Sequence, residues 1–182
     1  MKVSNQCIDH YASPLGEILL SADDIGLTGL WFAQQKHYAD ILVGDEPVVD
    51  LPVFDEAMRW LDEYFTGCQP DFTPPLHVVG TSFQLSVWQI LRTIPYGQTT
   101  TYGKIAEQLA AERNVAKMSA RAVGSAVGCN HISLIIPCHR VLASDGSLAG
   151  YAGGIEKKAK LLQLEGASIA QNARVSAGIG DS

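Results

Sequence analysis

Residues 69–80, QPDFTPPLHVVG, hold three of the eight prolines in this 182-residue chain. Proline lacks the amide hydrogen that a helix interior or a central strand requires, so neither can run through this stretch. The chain must leave one body of structure here, pass along an edge or through a linker, and begin another. A boundary near residue 78 follows, and the two sides of it are patterned differently.

On the first side, GEILLSADD and GLTGLWFAQ are short apolar runs separated by turn chemistry, which predicts a hairpin. From Val53, apolar Phe54, Ala57, Met58, Leu61 and Phe65 recur at helical spacing, and Gly67 ends the run. On the second side the pattern is a string of short helices. Ser82 is placed to cap one carrying Phe83, Val87, Ile90, Leu91 and Ile94, ended by Pro95. Thr100 or Thr101 can cap the next, YGKIAEQLAA, with Ile105, Ala106 and Leu109 inward. SARAVGSAVGCN follows, then the apolar run ending in PCHRV, the glycine-rich loop DGSLAGYAGG, and a last helix with Ile155, Ala159 and Leu162, closed by Gly166. Residues 169–182 show no apolar period and read as a flexible tail.

Charge divides at the same place. Residues 1–80 carry three Lys and Arg against thirteen Asp and Glu, whereas residues 81–166 carry nine against five. A net charge of -6 spread evenly would oppose a polyanion. Divided this way, it leaves the second half alone as the surface expected to meet one. No apolar run is long enough to span a membrane, and the N-terminal MKVSNQCIDHYASPLGE lacks the apolar stretch of an export signal, so a cytoplasmic protein is expected. Cys7, Cys68, Cys129 and Cys138 are then expected as free thiols, and their spacing predicts no metal site.

SARAVGSAVGCN is a poor helix by propensity, because Gly124 and Gly128 each cost roughly 1 kcal/mol relative to alanine. Such a face permits close approach, either of another helix or of a ligand. The segment follows a helix across a short connection, as in a helix-turn-helix, and Arg121 is its one long cationic side chain. A slim helix with one projecting arginine suits a narrow DNA groove in which that arginine replaces a displaced base.

Cys138 and His139 are adjacent behind Pro137. A thiol at its ordinary pKa is mostly protonated at neutral pH, so a base must take its proton. His139 and His131 are the candidates, with Glu165 or another carboxylate to orient the ring. Neighbours in an extended chain face opposite ways, so His139 can serve only if the chain bends after Pro137 or a water bridges the two groups.

IPCHRV, GYAGG and a helix ending in LEG, together with FQLSVWQILRTIPYGQTTTYGKIAEQLA and ARAVGSAVGCN, resemble the O6-alkylguanine-DNA alkyltransferases, also called methylated-DNA–protein-cysteine methyltransferases. SPLGEILLSADDIGL is similar to that family's N-terminal hairpin. The resemblance implies an α/β plus α fold, with a ribonuclease-H-like domain over 1–78 and a helical DNA-binding and alkyl-acceptor domain containing a helix-turn-helix over 79–168. It implies irreversible, stoichiometric transfer of the alkyl group from a flipped O6-alkylguanine, and less well from O4-alkylthymine, to Cys138. His139 would act as base through a water, Glu165 would orient it, Asn130 would fix the turn, and Tyr102 would assist the departing guanine. Arg121, Tyr102, Ala120, Gly124 and Ser125 would meet DNA in the minor groove, and Tyr151, Ala152, Ser133 and Val141 would line the pocket. The expected partner is duplex DNA containing O6-alkylguanine, bound by a monomer without cofactor, metal or membrane. Two other classes stay open: a module that binds damaged DNA without removing the lesion, and a cysteine hydrolase that turns over.

Overall fold

The computed structural model describes residues 2–169, so the expected tail beyond residue 169 lies outside the described residues. The chain opens as an antiparallel meander of β1 (Cys7–Ser13), β2 (Gly16–Ala22) and β3 (Leu27–Phe32) in the order β1-β2-β3. The β2–β3 hairpin is the one its apolar runs predict. β1 is additional. Its residues CIDHYAS are mostly half-buried or exposed, so it carries little apolar signal, and pairing with β2 from Cys7↔Ala22 to Ser13↔Gly16 makes it a strand.

β3 is buried along its whole length because both faces are covered. Ile18, Leu20, Leu30 and Phe32 join the main core, while Leu19 and Trp31 pack with Ile41 and Leu42 in a second cluster. Helix α1 (Pro52–Phe65) begins with proline in its first turn and buries Phe54, Ala57, Trp60, Leu61 and Tyr64. Its buried stripe is rotated from the expected one. Met58 and Phe65 are only partly buried, and Trp60 and Tyr64 stack with ring centroids 5.2 Å apart.

The proline-rich stretch takes the edge position. Leu27 N donates to Pro75 O at 2.8 Å and His77 N to Leu27 O at 2.8 Å, so a short piece pairs with β3. Further along the same strand, Leu30 N donates to His131 O at 2.8 Å and Ser133 N to Leu30 O at 3.0 Å. The chain leading to Cys138 therefore hangs from a strand of the first half.

Among the described residues four more helices follow: α2 (Ser82–Leu91), α3 (Tyr102–Glu112), α4 (Ala120–Gly128) and α5 (Ile155–Leu164). The cap of α2 is Thr81, one residue before the expected Ser82, because only Thr81 closes a reciprocal capping box with Gln84. Thr101 caps α3 and Ser119 caps α4. Two-residue strands β4 (Thr100–Thr101) and β5 (Val141–Leu142) pair in parallel. One hydrophobic core runs from Ile18 through Leu161 and draws on both halves. No helix among the described residues is long and apolar enough to cross a membrane.

Candidate functional site

Between α4 and β5 the chain makes a compact turn. Leu134 takes a left-handed backbone (φ 70°), a conformation that costs a residue with a branched side chain roughly 1–3 kcal/mol and persists only where its surroundings impose it. Asn130 supplies part of that constraint. Its Oδ1 accepts from Ile132 N at 3.0 Å, and its Nδ2 donates to Ile136 O at 2.8 Å. Pro137 (φ -81°, ψ 67°) then bends the chain into a single 3₁₀ turn over Cys138–Arg140. Successive residues in such a turn are about 120° apart, so the adjacent pair does not face opposite ways as it would in an extended chain.

His139 is fully buried and points its Nε2 at Glu165 Oε2, 2.7 Å away. Arg140 reaches the same carboxylate, with Nε donating to Oε1 at 2.7 Å, and its Nη1 donates to Ile94 O at 2.7 Å. Burial alone would raise the Glu165 pKa, but the hydrogen bonds and charges of His139 and Arg140 outweigh it and hold the group ionised. Burial lowers the His139 pKa, against the pull of Glu165, so the ring is neutral. The network thus assigns the ring proton to Nε2 and leaves Nδ1 as a buried lone pair with no partner.

Cys138 is 4% exposed. Burial pushes its thiol pKa up, while Asn130, the Lys158 ammonium and the turn's own amides pull it back. Lys158 is the residue that sequence reasoning passed over. It is fully buried in α5, donates to Val141 O and to Ala149 O (2.9 Å), and burial brings its pKa down to about 8. Its signal was present, since it falls three residues after Ile155 and three before Leu161, on the helix's inward stripe.

Tyr102, at the start of α3, donates its hydroxyl to the same Ala149 carbonyl at 3.0 Å. Its pKa is raised to about 12, first by burial and then by the nearby sulfur. Tyr151 is also buried and close enough to feel the sulfur's charge. The loop between them needs glycine at 150: φ is +70°, and a Cβ there would lie 3.2 Å from the Tyr102 hydroxyl.

A cleft of about 660 Å³ opens beside this group, lined by Gly124, Ser125 and Gly128 of α4, by Tyr151 and Ala152, and by Lys36 and His37 from the first half. Tyr151 belongs to both the cleft and the surroundings of the sulfur. The small face of α4 has two uses: a Cβ on Gly124 would touch the Tyr102 ring at 3.8 Å, and one on Gly128 would meet open space. Ala120 and Arg121 are exposed at the N-terminal end of α4, away from the turn. Ser133 and Val141 are buried and do not line the cleft. The structure thus brings together Cys138, His139, Glu165, Asn130, Tyr102 and Tyr151, and sets Ala152, Gly124 and Ser125 along the adjoining cleft. His131, the other candidate base, has its Nδ1 3.4 Å from Asp40 and lies on a different cavity with Cys129 and His37. Among the described residues, no three His, Cys, Asp or Glu side chains are placed to hold a metal ion, and all four cysteines are free thiols.

Comparison with known proteins gives a consistent result. Residues 9–78 match the family described as 6-O-methylguanine DNA methyltransferase, ribonuclease-like domain, and residues 82–167 match 6-O-methylguanine DNA methyltransferase, DNA binding domain. A methylated-DNA–protein-cysteine methyltransferase of Methanosarcina acetivorans is 44% identical over 86% of this chain and 96% of its own length. One from Mycobacterium leprae is 44% identical over 84% of this chain and 88% of its own. The crystal structure of Mycobacterium tuberculosis OGT in complex with DNA superposes with a TM-score of 0.75 at 40% identity, covering 86% of this chain and 91% of that one. With its two halves matched in order and its relatives matched over nearly their whole length, this chain belongs to the 6-O-methylguanine DNA methyltransferase family.

Proposed function

We propose that this chain repairs alkylated DNA by moving the alkyl group of O6-alkylguanine, and less readily of O4-alkylthymine, onto Cys138, once per molecule. The observation that carries the reading is the buried thiol adjoining a neutral imidazole whose far nitrogen is held by an ionised carboxylate, with Nδ1 left to accept a proton.

A base inside a duplex cannot present its O6 substituent to a buried sulfur, so the nucleotide swings out into the cleft. In this reading α3 and α4 act as a helix-turn-helix, α4 lays its small face in the minor groove, and Arg121 fills the vacated stack. With Cys138 only 4% exposed, the loop around Gly150 and Tyr151 yields in this reading as the base enters. The thiol proton passes through a water to His139 Nδ1, and the imidazolium is stabilised by Glu165. The thiolate attacks the alkyl carbon, a sulfur–carbon bond forms, and the carbon–O6 bond breaks. The departing guanine takes a proton from the Tyr102 hydroxyl, which leaves Ala149 O to Lys158, and the nearby ammonium offsets the charge left on the tyrosine. The thioether has no leaving group for a return step, so the protein is consumed.

This reading divides the chain near residue 78 into a scaffold half and a DNA-binding, alkyl-accepting half. It has the protein act as a monomer, without cofactor, in the reducing cytoplasm that free thiols favour. Incubation with a duplex containing O6-methylguanine should add one methylene's mass to the tryptic peptide carrying Cys138. Cys138→Ala should keep DNA binding and lose repair. An unchanged peptide mass on bound, lesion-containing DNA would instead favour a module that recognises damage without removing it.

A further inference from the structure

Charge alone assigns the polyanion to the second half, yet the cleft has a wall from the first. After β3 the chain runs through residues 33–40 in irregular turns, with Gln34, His37 and Ala39 all left-handed (φ 65°, 58° and 53°). Such a segment holds its shape only if tied down, and its ties lead to the pocket. The Gln35 side chain is buried, and its Oε1 accepts from Phe32 N at 2.8 Å and lies 3.4 Å from the Ser133 hydroxyl. Lys36 N donates to Ala152 O at 3.1 Å. His37 is braced between Asp40 Oδ2 (3.4 Å) and the sulfur of Cys129 (3.8 Å).

These contacts fix the Lys36 backbone, and the residue is exposed on the cleft that Gly124, Ser125 and Gly128 also line. Lys36 is one of three cations in the first 80 residues, and it makes no ion pair among the described residues. A nucleotide extruded into the cleft brings its own phosphates between α4 and the facing wall. A cation there neutralises one of them, and phosphate contacts of this kind set register and not base choice.

We propose that Lys36, held in place by Gln35 and by its backbone bond to Ala152, binds a backbone phosphate of the extruded nucleotide, so that the acidic half of the chain contributes a DNA contact. The inference rests on the repair reading above. Its test compares the full-length protein with Lys36→Ala and Lys36→Arg, using duplex DNA across a salt series and the free base O6-benzylguanine. Loss of one phosphate contact should flatten the slope of log affinity against log salt by about 0.9. Lys36→Ala should weaken duplex binding and slow transfer from duplex several-fold, leave transfer from the free base unchanged, and be restored by Lys36→Arg. An unaltered salt slope overturns the proposal. So does an equal loss on the free base, which would show Lys36 supporting the pocket's shape. Absence of any mass gain on Cys138 in the unsubstituted protein would overturn the repair reading itself, a different failure from either.

Discussion

At the scale of single residues, the site works against its own burial. Removing Cys138 from water disfavours the thiolate that the proposed transfer needs, and the groups that compensate are Asn130, Lys158 and the turn amides. Lys158 is the one that brings a full charge, and it sits among carbonyls where its own pKa has fallen to about 8. Lys158→Met should therefore raise the apparent pKa for alkylation of Cys138. Transfer would slow about tenfold at neutral pH for each unit of that rise and recover as the pH is increased. A rate lowered equally at every pH would mean that Lys158 only supports the loop. Neither Lys158 nor Arg140 was found by reading motifs, because cations on an inward helix stripe or beside a conspicuous histidine draw notice only once their acceptors are known. The need of a reactive thiol for a base, and of that base for an orienting group, was legible at Cys138; the choice of His139 over His131 and of Glu165 among the carboxylates came from the family resemblance.

At the scale of elements, α4 shows what a poor helix gains from its composition. Its inward side buries Val123, Ala126 and Val127, and Trp88 of α2 donates its indole N–H to Ala126 O at 2.8 Å, so packing offsets the two glycines. Its outer side then stays thin. Gly128→Leu would project a bulky side chain into the open cleft at little cost to folding, since nothing lies within 4 Å of a Cβ there. Duplex binding and transfer should fall at least tenfold with the melting temperature almost unchanged, as gel shift and thermal melts would show. Other elements were less legible. The helix stripes and the capping threonines follow from local periodicity and local hydrogen bonds, even where the cap moved from Ser82 to Thr81. β1 did not, because an edge strand owes its shape to its neighbour. Nor did residues 33–40, whose conformation is dictated by Ser133 and Ala152, more than ninety positions away in the chain.

At the scale of the molecule, the two matched regions share one core and one strand edge. The two regions differ in charge and in the domain model each matches, but not in packing. Thermal or urea unfolding should therefore proceed as one transition, with tryptophan emission and far-ultraviolet circular dichroism coinciding. Two separated transitions would show that the two matched regions are separate units of stability. The pH dependence has a definite sign. The folded pKa values of both His139 and Glu165 lie below their ordinary ones, so their contributions are complete above the ordinary values. As the pH falls below about 6.5 the unfolded chain begins to take up the His139 proton that the fold refuses, and stability drops further as the carboxylate range is reached.

The suspension of residues 131–133 from β3 carries a consequence for how such a chain can vary over time. Because two backbone hydrogen bonds with Leu30 tie down the approach to the Cys138 turn, a change of sheet twist in the first half should be felt at a sulfur encoded more than a hundred codons later. Grafting one half onto the other half of a relative should therefore cost repair activity at an otherwise unaltered Cys138, and random loss-of-repair alleles should scatter across both.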